Sequence, residues 1–110
     1  MSLWGEYVAE RLNWSVIEDD DSFIAYSLAP PFIRIEDVYV KPEKRRGKKA
    51  WILVDKVVAE GRKNPDIKEI WAQVWPGEAN DMSLKACLAY GFRVLDAQAG
   101  RIMLTKEIGG

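Results

Sequence analysis

The 110-residue chain contains no histidine and one cysteine, Cys87. Ser-His-Asp and Cys-His catalysis are therefore excluded, no internal disulfide can form, and a zinc site lacks its usual ligands. A proton must move through a carboxylate, a tyrosine, a lysine, the one thiol or water. The densest chemistry lies in segment 41–49. Lys41, Lys44, Arg45, Arg46, Lys48 and Lys49 stand there against one acid, Glu43, and Gly47 permits close backbone approach. A helix starting directly after it would aim unpaired N–H groups and about half a positive charge at the same place, which suits a phosphate. The composition fits a solvated surface loop or a nucleic-acid patch as well.

The flanking elements follow from periodicity. Ser2 can cap a helix carrying Leu3, Trp4, Tyr7, Val8 and Leu12 at three- and four-residue spacing, with Asn13 ending it. Strands are predicted over 14–18 and 22–28, and Asp19, Asp20 and Asp21 between them read as a solvated hairpin turn. Pro30-Pro31 breaks the chain. A strand over 32–40 alternates Ile33 and Ile35 with Arg34 and Glu36, becomes buried at Val38, Tyr39 and Val40, and stops at Pro42. The helix over 50–63 gathers Trp51, Val54, Val57 and Val58 on one face, with Leu53 beside them and Asn64-Pro65 after it. Strand 67–75 sets Ile70, Ala72 and Val74 against Trp71, Gln73 and Trp75. A helix over 80–90 ends at Gly91, and 92–95 with 101–108 form a hairpin around Ala99-Gly100. The order predicts one α+β domain over 1–110. Its middle strands pair in parallel through a right-handed crossover, with antiparallel meanders at each end.

With these elements placed, the strand, basic loop and helix resemble the coenzyme A-binding motif of GNAT N-acetyltransferases. That motif is a strand ending in V-x-P, two residues, then Arg/Gln-x-x-Gly-x-Gly/Ala opening a helix. Val40, Pro42, Arg45 and Ala50 match without gaps, and Lys48 falls where the middle glycine belongs. A second segment resembles the family's later helix: Asn80, Ser83, Gly91 and Phe92 keep its spacing, and Cys87 occupies the place of its tyrosine. Residues 80, 83 and 87 also share one helical face by periodicity.

The resemblance implies a GNAT-like three-layer α/β arrangement: a mixed sheet of about six strands with helices on both faces. It implies transfer of an acetyl group from acetyl-CoA to a primary amine, borne by a small molecule or a peptide. Val38, Tyr39, Val40, Arg45, Arg46, Gly47, Lys48, Lys49, Ala50, Asn80 and Ser83 would hold the coenzyme A. Glu36, on the strand face expected for Val38 and Val40, is the candidate base; its plain alternative is an ion pair with Arg34. Cys87 stands where the family's tyrosine protonates the departing thiolate, but a thiol is a weak donor. The chain also has one helix before its first hairpin, fewer elements than most members. These departures sustain a second reading, a GNAT-fold module that binds coenzyme A or a protein without chemistry.

The formal net charge of −1 disfavours a chain built to bind nucleic acid. Glu6, Glu10 and Arg11 interrupt the N-terminal apolar residues, unlike a signal peptide, and no run approaches the roughly 20 apolar residues of a membrane span. A cytoplasmic protein without membrane or nucleic-acid partners is expected, and a homodimer is compatible with this reading.

Overall fold

The computed structural model describes residues 2–45, 48–75 and 84–109. Ser2 caps α1 (Leu3–Arg11), its hydroxyl accepting from the Gly5 amide at 3.0 Å. Strands β1 (Ser15–Glu18), β2 (Ser22–Ala29) and β3 (Phe32–Val40) follow as an antiparallel meander. Pro30 and Pro31, joined by a cis peptide bond, make the two-residue turn between β2 and β3. After a short 3₁₀ turn (Pro42–Lys44) come α2 (Lys49–Arg62), β4 (Glu69–Val74), α3 (Leu84–Tyr90), β5 (Arg93–Gln98) and β6 (Arg101–Glu107). Among the described residues six strands form one mixed sheet ordered β1-β2-β3-β4-β6-β5, in which only β3 and β4 run parallel. Of the helix expected over 80–90, Leu84–Tyr90 is described, and residues 80–83 lie outside the described residues.

One face of the sheet carries the core. Ile24, Ile33, Ile35, Ile70, Ala72, Val74 and Leu104 pack against Leu53, Val54, Val57 and Val58 of α2 and Cys87 of α3. The opposite face is taken by α1, whose Trp4 ring meets Phe23 at 4.5 Å between centroids. Phe23 alternates with the core residue Ile24, so the two helix layers lie on opposite sides.

Three places among the described residues use positive φ, the first being Asn13 (φ +57) just after α1. Gly91 (φ +118) ends α3, with the Phe92 amide returning to the Cys87 carbonyl at 3.0 Å, a Schellman-type closure. Ala99 (φ +50) and Gly100 (φ +77) join β5 to β6 as a two-residue hairpin turn of the primed kind.

Candidate functional site

The sheet opens between its two parallel strands. Phe32, Ile33 and Arg34 pair with Glu69, Ile70 and Trp71, and the ladder stops there. β3 continues to Val40 and β4 to Val74 without pairing to each other, so the strands part into a V whose wide end lies at their C-termini. Val38 packs on the core, Val40 is buried and Tyr39 is exposed and stacked on Phe23. The chain leaves β3 at the mouth of this V, passes through the basic loop and enters α2.

Among the described residues, no side chain caps the N-terminus of α2. Its cap residue, Lys48, is exposed with φ −96°. That backbone conformation suits any L-residue, so Lys48 needs no glycine at this position of the resembled motif. Ala50, half-buried in the first turn, matches the motif's small residue. Arg45 turns back on the strand: its Nε donates to the Val40 carbonyl at 2.8 Å and its guanidinium lies 5.5 Å from the centre of the Tyr39 ring. Lys49 reaches the acidic turn, with Nζ 3.3 Å from carboxylate oxygens of both Asp19 and Asp21. The turn expected to be merely solvated therefore touches the basic loop. Arg46, Gly47, Asn80 and Ser83, all expected to hold the cofactor, lie outside the described residues.

Glu36 sits at the start of the opening, and alternation alone wrongly gives it the same face as Val38 and Val40. Tyr26 pairs with Ile35 but Ala25 with Asp37, so Glu36 is the extra residue of a β-bulge. The bulge resets the alternation: Val38 and Val40 rejoin the core side, whereas Glu36 shares the side of Arg34 and Ser27. Its carboxylate accepts from the Ser27 hydroxyl at 2.9 Å and pairs with Arg34 Nε at 3.3 Å. The ion pair with Arg34 is thus present, and Glu36 faces away from α2 and α3.

Cys87 is fully buried among core residues, and burial pushes its thiol up to about 11. The expectation that it faces a thioester in the cleft meets instead a side chain packed into the interior. The same helix carries a tyrosine that no motif marks, Tyr90. Its hydroxyl donates to the Asp55 carboxylate, and its ring stacks on Trp51 at 4.8 Å. Burial and that carboxylate raise the pKa of Tyr90 well above the ordinary tyrosine range. Only the proximity of α2 and α3 joins these three residues, and spacing within one helix cannot signal it.

Among the described residues no cluster of histidine, cysteine or carboxylates could hold a metal ion, and no helix is long and apolar enough to cross a membrane. A depression of about 250 Å³ lies beside the acidic turn and Tyr39, on the α1 side.

No protein-family model matches the chain, and no curated protein matches it. Solved structures do share its architecture. PaiA N-acetyltransferase from Thermoplasma acidophilum, in complex with coenzyme A, superposes with a TM-score of 0.75 at 20% identity, over 96% of this chain and 69% of that one. The ribosomal-protein-S18-alanine N-acetyltransferase of Escherichia coli gives 0.74 at 12% identity, over 100% and 79%. Arabidopsis thaliana NAA60, in complex with a bisubstrate analogue, gives 0.68 at 12%, over 79% and 64%, so the chain spans less than two thirds of that protein.

Proposed function

On a chain with the GNAT acetyltransferase fold, we propose that the β3–β4 opening binds acetyl-coenzyme A and that the protein transfers the acetyl group to an amine. The observation that carries this reading is the juxtaposition of the parted parallel strands with an uncapped helix N-terminus, directly after a basic loop. Amides at such a helix end hold phosphate oxygens. Arg45, Lys48 and the adjacent Arg46 add positive charge. Val38, Tyr39 and Val40 would flank the pantetheine arm, and Asn80 and Ser83, outside the described residues, are proposed as further contacts to it. The cofactor supplies the acetyl group in activated form, as a thioester.

The two sides of the sheet divide the work. α2 and α3 occupy one side, where the phosphates are to be held, so the amine enters from the other. Glu36 projects to that other side at the start of the opening, hydrogen-bonded to Ser27. It takes the proton of the incoming ammonium, directly or through water, and Arg34 holds its carboxylate in place. Glu36→Gln tests this assignment. Turnover with acetyl-coenzyme A over a panel of amines should fall about 10²-fold or more, with coenzyme A affinity unchanged. An unaltered rate would remove Glu36 from the chemistry.

A second reading, a coenzyme A-binding module without turnover, is favoured by one observation. Cys87, the counterpart of the family's acid, lies in the core. Without it the leaving thiolate must be protonated by water. Binding without turnover across the panel, in the unmutated protein, would select the module.

A further inference from the structure

The hairpin turn between β1 and β2 touches both ends of the basic loop. At the start of the loop, the Lys41 amide donates to the Asp21 carbonyl at 2.7 Å. At its end, the Lys49 ammonium lies 3.3 Å from Asp19 Oδ2 and 3.3 Å from Asp21 Oδ2. The turn is itself ordered for this. The second oxygen of Asp19 accepts from the Asp21 amide at 2.8 Å and from the Ser22 hydroxyl at 3.1 Å, and the Asp19 amide closes the hairpin onto the Ser22 carbonyl at 2.9 Å. Ser22 in turn is buried and pairs with Val40, the last residue of β3. A single rigid turn therefore fixes where the loop begins and where the helix starts.

We propose that Asp19 and Asp21 are positioning residues for the phosphate-binding end of α2, and that Lys49 is their tether and not a phosphate ligand. The charge logic agrees. A lysine at the first helical position opposes the positive end of the helix dipole. Two carboxylates neutralise it and draw it toward the turn. The amides of the first turn then remain for an external anion, at a place set by the hairpin. The opposite reading gives Lys49 to the phosphate and treats the acids as a nearby repulsion that weakens anion binding.

This inference rests on the proposed coenzyme A site, so its test has a ligand-free arm. Hydrogen exchange is measured at the Lys41 amide and at Ile52, whose amide makes the first intrahelical bond to the Lys48 carbonyl at 3.0 Å. In the Asp19→Asn/Asp21→Asn double variant both amides should exchange roughly three- to fivefold faster, the scale of a part-exposed ion-pair network. Coenzyme A affinity by calorimetry should weaken by a similar factor. Asp20→Asn, which removes one negative charge from the same turn without breaking the clamp, should change neither. Lys49→Met should match the double variant, and adding it to the double variant should cost nothing more. Tighter coenzyme A binding by the double variant, unchanged exchange, or a further additive loss from Lys49→Met would each overturn the proposal. An unmutated protein without coenzyme A affinity would defeat the site assignment instead, while the exchange arm still decides whether the clamp exists.

Discussion

At the scale of single residues, Cys87 shows how far burial can move a side chain from the chemistry its spacing implies. It keeps the family position relative to Gly91 and Phe92, yet its surroundings are the core residues that α3 shares with α2 and the sheet. Thiol reagents should therefore label it at the rate of unfolding at neutral pH, followed by mass shift against denaturant. Because its folded pKa is raised to about 11 from an ordinary 9.0, the unfolded thiol loses its proton first. Its contribution to stability is fully present below pH 9 and declines as pH rises toward 11, which a series of thermal melts would show. Placing the aromatic ring of the resembled motif there with Cys87→Tyr should destabilise by about 1–3 kcal/mol through overpacking. A stable, faster variant would mean that the site opens to the cleft after all. Glu36 carries the complementary lesson: a bulge that no spacing in the sequence announces turns Val38 and Val40 to the core side and leaves Glu36 on the side of Arg34 and Ser27.

At the scale of elements, nearly every strand and helix was legible in the sequence, because their determinants are local. Ile70, Ala72 and Val74 alternate, Ser2 caps, Pro42 stops β3, and Gly91 supplies the positive φ that closes α3. The parting of β3 and β4 after three paired residues was not legible, since it depends on tertiary packing and not on either strand's composition. Nor was the tether from Lys49 to the acidic turn, which joins residues 28 and 30 positions apart. Two substitutions test element ends. Lys48→Gly should weaken coenzyme A binding about two- to fivefold by removing an exposed cation near the helix end. Tighter binding by this variant would mean that the lysine obstructs the turn despite its relaxed φ. Ala99 holds φ +50° at the first position of a primed turn, where asparagine is preferred. Ala99→Asn should raise stability by about 0.5–1 kcal/mol, read from denaturant midpoints. An unchanged or lower midpoint would mean that the turn relaxes in solution.

At the scale of the whole molecule, one sheet separates two sides. α2 and α3 lie on one of them and Glu36 projects to the other, and the proposed function gives the cofactor to the first and the amine to the second. The likeness to coenzyme A-bound PaiA is one of fold and comes with only 20% identity, so the ligand must be established on this chain. Titration calorimetry with coenzyme A at two salt concentrations does so most directly. Saturable binding with one site is expected, weaker at the higher salt because part of the attraction is between solvent-exposed charges. Arg45→Ala with Arg46→Ala should reduce it by roughly 1.5–3 kcal/mol for each charge-assisted hydrogen bond to phosphate that the substitutions remove. No heat and no binding in the unmutated protein at low salt would contradict the account.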